Sequence, residues 1–287
     1  MIGRGLVAEL RDRGDRVVRL VRGPATGADE VSWDPSTAHL DPQVLVGADA
    51  VVNLSGASLA KLPWTRSYRR AILSSRVTAT TAIVGALHEC ARGGEPVGVL
   101  LSASAVGVYG SRPGETLTED SAPGGGFLAE VVRTWEATAM TAPAETRVVL
   151  ARTGLVVGPE GATAPLRTLA RFGLAGPLGG GRQHWPWVAL DDEVAALVHL
   201  IDSPVAGPVN IVGPEAATAG EVIRAVAEHA HRPYWLPAPT FAISAALGDA
   251  GRELLLSDQR IEPGVLTGDG FAFLYRTADE AVAAVRG

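Results

Sequence analysis

The chain has 287 residues, 47% of them apolar, a formal net charge of −6 and one cysteine, Cys90. That length buries a large core and suits one large α/β domain, or one domain with a smaller appendage. The acidic balance argues against nucleic acid or an anionic membrane as partner, and a single cysteine excludes both an intramolecular disulfide framework and a thiolate metal cluster. No stretch has the length and apolarity of a membrane span or the layout of a signal peptide, so a soluble, cytoplasmic protein is expected.

Ile2, Leu6 and Leu10 recur at four-residue spacing in "MIGRGLVAEL" and predict an amphipathic helix, stopped by the glycine of "DRG". The β-branched run "DRVVRLVRG" predicts a buried strand. "ADAVVNLSG", "VGVLLSASAVGVYG" and "TRVVLARTGLVVG" predict further strands, separated by helical patterns over 65–92, 127–142 and 163–173. This alternation implies βαβ units, and continuous Val/Leu runs suit strands covered on both faces. The expected fold class is α/β, a Rossmann-like doubly wound parallel sheet. Beyond Pro204 a strand in "GPVNIVGP" and a helix over 218–230 are followed by "HRPYWLPAPTF", where three prolines interrupt regular structure. The expected division is a dinucleotide-binding domain over 1–205 and a substrate-side region over 206–287. Cys90 falls in a helical apolar pattern and reads as packing, and the two histidines of "HAHRP" point to different helix faces, so no metal site is expected.

In a doubly wound sheet the ligand lies beyond the carboxyl ends of the strands. Arg22 follows the second element there: an acid would accept from an NAD ribose, whereas arginine pairs with a 2′-phosphate, which favours NADP(H) over NAD(H). A solvated surface arginine is the alternative. The loop Asn53, Leu54, Ser55 and Gly56, and the segment from Ser102 through Ser104 to Tyr109, place hydroxyls and glycines where a cofactor approaches the backbone.

These motifs, with "WTRSYRRAILSSRVTATTAIVGAL", "FLAEVVRTWEA", "ARTGLVVGPEG", "GPLGGGRQHWPWVALDD" and "LLLSDQRIEPGVLTGDGFAF", occur in the order in which the chain resembles the extended short-chain dehydrogenase/reductase superfamily. Within it, the sequence is similar to an epimerase/dehydratase-like branch with a C-terminal domain of unknown function of the DUF1731 type, here about 236–285. The resemblance implies an NAD(P)-binding domain, a substrate cleft roofed by the C-terminal part, cofactor contacts from Gly3, Arg76 and Ser102, and a catalytic hydroxyl at Ser104. Such proteins usually carry Tyr-x-x-x-Lys. Lys61 is the only lysine and follows none of the four tyrosines at that spacing. The segment where the dyad should lie offers Glu130, Arg133 and Glu136 instead. Tyr109 and Glu130 therefore stand as acid/base candidates beside Ser104, against the bland readings of a turn-closing serine and a solvated glutamate. Relatives often carry histidine where this chain has Ala189. Asp191 and Asp192 read as a helix cap and first-turn acid; Gln183, Trp185 and Trp187 are expected to line the cleft, with core tryptophans the equal alternative.

The resemblance also makes Gly3 the third glycine of a Gly-x-x-Gly-x-x-Gly turn. A first strand and two glycines, about ten residues, are then missing ahead of it. The expectation is a truncated N-terminus and weakened cofactor binding. Two functions are expected: an NADP(H)-dependent oxidoreductase or epimerase-like enzyme acting on a small hydroxyl or carbonyl compound, or a non-catalytic NADP(H)-binding sensor.

Overall fold

The computed structural model describes residues 1–161 and 163–285. Helix α1 (Ile2–Asp12) buries Leu6 and Leu10, two members of the predicted stripe. After it, β1 (Arg19–Val21) pairs in parallel with β2 (Glu30–Ser32). This corrects the expectation of a buried strand: Arg19 is exposed, Leu20 and Val21 are half-buried, and Val18 before them is open to solvent. The cause is topological, since β1 and β2 pair only with each other and share no ladder with the main sheet.

The main sheet has four parallel strands. Strand β3 (Ala50–Asn53) leads through α2 (Arg66–Arg92) to β4 (Val99–Ala105), and a short β5 (Thr116–Leu117) and α3 (Phe127–Ala139) lead to β6 (Arg147–Thr153). Next come β7 (Leu155–Val157), α4 (Ala164–Arg171), β8 (His184–Trp185), β9 (Trp187–Ala189), α5 (Leu190–Asp202) and β10 (Gly207–Ile211). The order across the sheet is β10-β6-β4-β3. Strand β10 thus carries the sheet past residue 205.

The continuous apolar runs have a direct explanation in this layering. Leu100, Val148 and Leu150 pack into one cluster with Ile83 and Leu87 of α2, whereas their neighbours Leu101, Val149 and Ala151 pack on the opposite face with Leu6, Leu10 and Leu197. Both pleat faces are covered, so alternate residues are equally apolar. Cys90 is buried in the α2 cluster, as its pattern implies.

The remaining elements return the C-terminal region to the sheet domain. They are β11 (Ala217–Thr218), α6 (Ala219–His229), α7 (Thr240–Leu254), β12 (Arg260–Ile261), α8 (Gly264–Gly268) and α9 (Ala278–Ala284). Helices α6 and α9 both start with a reciprocal capping box, Thr218 with Glu221 and Thr277 with Glu280. Strand β12 pairs with β5, and Gln259 Nε2 donates to the carbonyls of Val106 (3.1 Å) and Gly110 (2.9 Å). Trp185 and Trp187 are buried in the cluster around α6, their indole N–H groups donating to Leu255 O (3.2 Å) and Glu215 O (2.9 Å). Gln183 is buried as well and donates to the carbonyls of Leu178 and Leu255. Of the two readings for these three residues, the structure takes the core.

Asp192 lies in the first turn of α5 as expected, whereas Asp191, expected as the cap, lies in that turn too. Helix α5 has Ala189 at its N-cap with no side-chain cap, and the buried Asp192 carboxylate accepts the backbone N–H groups of Leu274 (2.7 Å) and Tyr275 (3.2 Å). It fastens the C-terminal segment, and burial raises its pKa above the ordinary value.

A candidate active-site cleft at the strand ends

Strand β3 ends at Asn53, whose buried side chain accepts from Ser55 N (3.1 Å) and donates to Thr80 Oγ1 (2.9 Å). Its amide shapes the turn and is spent on it. Leu54 and Gly56 lie exposed in that loop, and Ser55 is half-buried. The Arg76 guanidinium covers the loop from α2, donating to Ala57 O (3.2 Å) and Ile72 O (3.0 Å), with its carbon 5.2 Å from the Trp135 ring centroid. A Cβ on Gly56 would stand 3.0 Å from that guanidinium carbon, so glycine is what lets the arginine lie there. Among the described residues Arg76 has no carboxylate partner, and burial lowers its pKa. Gly3, in the first turn of α1, lies against the Leu54 side chain, so helix start and β3 loop adjoin. Arg22, just past β1, is exposed and makes no ion pair or hydrogen bond among the described residues.

At the end of β4 the hydroxyls are committed. Ser104 is nearly fully buried and donates to Glu136 Oε1 of α3 at 2.5 Å. Arg152 of β6, its register partner, holds the same carboxylate at both oxygens, Nε to Oε1 at 2.8 Å and Nη2 to Oε2 at 2.9 Å. Arg152 Nη1 donates to the Tyr109 hydroxyl (2.8 Å), which donates to Asn210 Oδ1 (2.7 Å). Asn210 continues the chain of bonds into the C-terminal region through Glu262 O (3.0 Å). The carboxylate partner keeps Arg152 protonated against its desolvation, and the pair is charge-balanced.

Three other candidates lie away from an open reacting centre. Tyr109 is completely buried, and burial pushes its hydroxyl pKa up, the direction opposite to that of a phenol activated for proton transfer. Its O–H already has a donor and an acceptor, so the structure gives it an architectural place. Glu130 is exposed in the first turn of α3, and it is Glu136, two turns further on, that meets Ser104. Ser102 is completely buried beside Asn53 in the register, its hydroxyl turned to the Ala103 carbonyl, three residues short of the strand's open end. Arg152 and Asn210 carry the network without having been singled out, although an arginine in "RVVLART" and an asparagine in "GPVNI" are polar groups in buried strands and signal buried partners.

The loops leaving β3 and β4 converge on Trp64 and Phe127, which meet edge to face with ring centroids 5.7 Å apart. Gly124 lets the second loop close: a Cβ there would lie 1.9 Å from Tyr109 O. Arg69 of α2 stacks over the Phe127 ring at 4.2 Å and pairs with Asp249 of α7 at 2.6 Å. Glu253, also on α7, accepts the free N–H groups of Phe127 and Leu128 at the start of α3, both at 2.8 Å. Helix α7 therefore fastens the starts of α2 and α3. Neither Phe127 nor the acids of α7 stands out in the sequence.

Beneath the end of β6, Glu193 of α5 is completely buried. Its Oε1 accepts from Thr153 Oγ1 at 2.7 Å, and its Oε2 has no partner among the described residues. Desolvation pushes its pKa up to about 8.

A parallel sheet covered by helices on both faces, with glycine-bearing loops and Arg76 at its carboxyl edge, has the architecture of the extended short-chain dehydrogenase/reductase class. The model of the NAD dependent epimerase/dehydratase family matches residues 1–213, and that of DUF1731, a domain of unknown function, matches 238–285. The chain belongs to the NAD dependent epimerase/dehydratase family. It is 38% identical to an epimerase family protein of Mycobacterium leprae over 98% of this chain and 91% of that one. It is similar in structure to human epimerase family protein SDR39U1 with NADPH, at a TM-score of 0.90, 27% identity, and 99% and 95% coverage of the two chains. A nucleoside-diphosphate sugar epimerase from Corynebacterium glutamicum gives a TM-score of 0.78 at 29% identity, over 99% of this chain and 55% of that one.

Proposed function

We propose that the protein is an NADP(H)-dependent oxidoreductase or epimerase-like enzyme acting on a small hydroxyl- or carbonyl-bearing compound. The observation that carries the cofactor choice is Arg22: a guanidinium just past β1 of the two-stranded ribbon, exposed and unopposed among the described residues, suits a 2′-phosphate and offers a ribose diol no acceptor. The bound NADPH of the human relative supports the same choice. The residues fit the cofactor's remaining parts: Gly3, in the first turn of α1, adds no side chain of its own beside the β3 loop, and Arg76 adds positive charge against that loop.

When bound, NADPH supplies the hydride. The chain's own contribution is positioning. Ser104, its proton held by Glu136, offers an oxygen lone pair to a substrate hydroxyl, and the Glu136–Arg152 pair fixes that orientation. Helix α7 and the Trp64–Phe127 pair wall the cleft.

The sensor reading draws support from one specific feature, the full burial of Tyr109 in a chain without Tyr-x-x-x-Lys. Titration with NADPH, followed by turnover against a panel of aldehydes, ketones and alcohols, separates the two. Turnover on any member that Ser104→Ala reduces at least tenfold upholds the enzyme; tight binding with no turnover on the whole panel upholds the sensor.

A further inference from the structure

A cavity of about 410 Å³ opens where the β3 loop, α2 and α3 meet, lined by Trp64, Arg66, Arg69, Arg70, Leu73 and Phe127. Its composition is unusual for a chain of net charge −6: half of the lining residues are arginines and none is acidic. Arg66 and Arg70 lie one helical turn apart, on the same side of α2, and make no ion pair or hydrogen bond among the described residues. Arg69 differs from them. It is pinned between Asp249 and the Phe127 ring, so its charge is answered and its plane is fixed. Asp249 is further engaged by Arg252, and the Glu253 carboxylate is turned to the α3 amides. The acids around the cavity are therefore occupied, and two guanidiniums face it uncompensated beside two aromatic walls.

We infer that this cavity is a binding site for a ring-bearing organic anion, a carboxylate or phosphate attached to a planar or apolar ring. The anion would sit between Arg66 and Arg70, and the ring against Trp64 and Phe127. Carboxylate and phosphate oxygens both accept from guanidinium forks, and the edge-to-face aromatic pair offers a ring surface that a hydrated inorganic ion cannot use. The inference deepens the proposed function by naming a substrate class for the same cleft. Its test runs without cofactor, so that the two stand or fall separately.

The experiment is isothermal titration of the full chain with phenyl phosphate, benzoate, inorganic phosphate and benzyl alcohol. At least one ring anion should bind roughly tenfold or more tightly than both the neutral alcohol and inorganic phosphate, because each of those lacks half of the recognition. The double variant Arg66→Gln/Arg70→Gln should weaken that binding by about tenfold or more, and Arg66→Lys/Arg70→Lys, which keeps the charge and loses the planar forks, should weaken it less than the glutamine pair does. Both arginines are exposed, so a far-UV spectrum matching wild type confirms that the fold is retained. Benzyl alcohol binding as well as the ring anions, or the glutamine pair leaving affinity unchanged, overturns the inference. Ring-anion binding in a protein that turns over nothing upholds the site while removing the enzyme reading.

Discussion

Glu193 makes the stability of this protein depend on pH in an unusual direction. Its carboxyl is lifted from an ordinary value of 4.5 to about 8 in the folded chain by complete burial, relieved only by the Thr153 hydroxyl. Between those values the folded chain holds a proton that the unfolded chain has released. Stability is therefore fully present below about pH 4.5, falls as pH rises, and levels off above about 8. Each unit inside the window costs about 1.4 kcal/mol, so moving from pH 5.5 to 7.5 removes about 3 kcal/mol through this one group. Glu193→Gln keeps the shape and cannot titrate. Urea unfolding of both proteins at the two pH values is the assay, with the unfolding free energies extrapolated to water. Wild type should lose about 3 kcal/mol more than the variant over the interval. Equal losses in the two proteins would refute the reasoning, because the pH dependence would then originate elsewhere.

Arg152→Leu should destabilise the fold by about 3–5 kcal/mol in urea unfolding, since it strands the Glu136 carboxylate in a nearly dry site. Glu253→Ala removes the carboxylate that answers two free amides at the start of α3 and should cost about 1 kcal/mol by the same measurement. Tyr109→Phe deletes a buried hydroxyl with two partners and should cost about 1–3 kcal/mol; if the residue is architectural, any turnover should persist.

Much of the fold is written in periodicity. Helices predicted over 65–92, 163–173 and 218–230 appear as Arg66–Arg92, Ala164–Arg171 and Ala219–His229, because their apolar faces and caps are local signals. The β1–β2 ribbon was less legible: burial of "DRVVRLV" depends on neighbouring strands, which a β-branched run does not encode. The cleft divides in the same way. Ser104 and the β3 loop stand at strand ends and can be found by topology, and Arg76 reaches that loop from α2. The choice of Glu136 over Glu130 depends on which face of α3 meets β6, where Arg152 waits. Asp249 and Glu253 reach the cleft from more than a hundred residues away, through a placement of α7 that no local pattern specifies.

The most direct test of the account is paired titration of the full chain and its Arg22→Glu variant with NADPH and NADH. The wild-type chain should bind NADPH at least about tenfold more tightly than NADH, and the variant should lose that preference while its NADH affinity changes little. Equal affinities of the wild-type chain for the two dinucleotides, or an Arg22→Glu variant that keeps the preference, would contradict it.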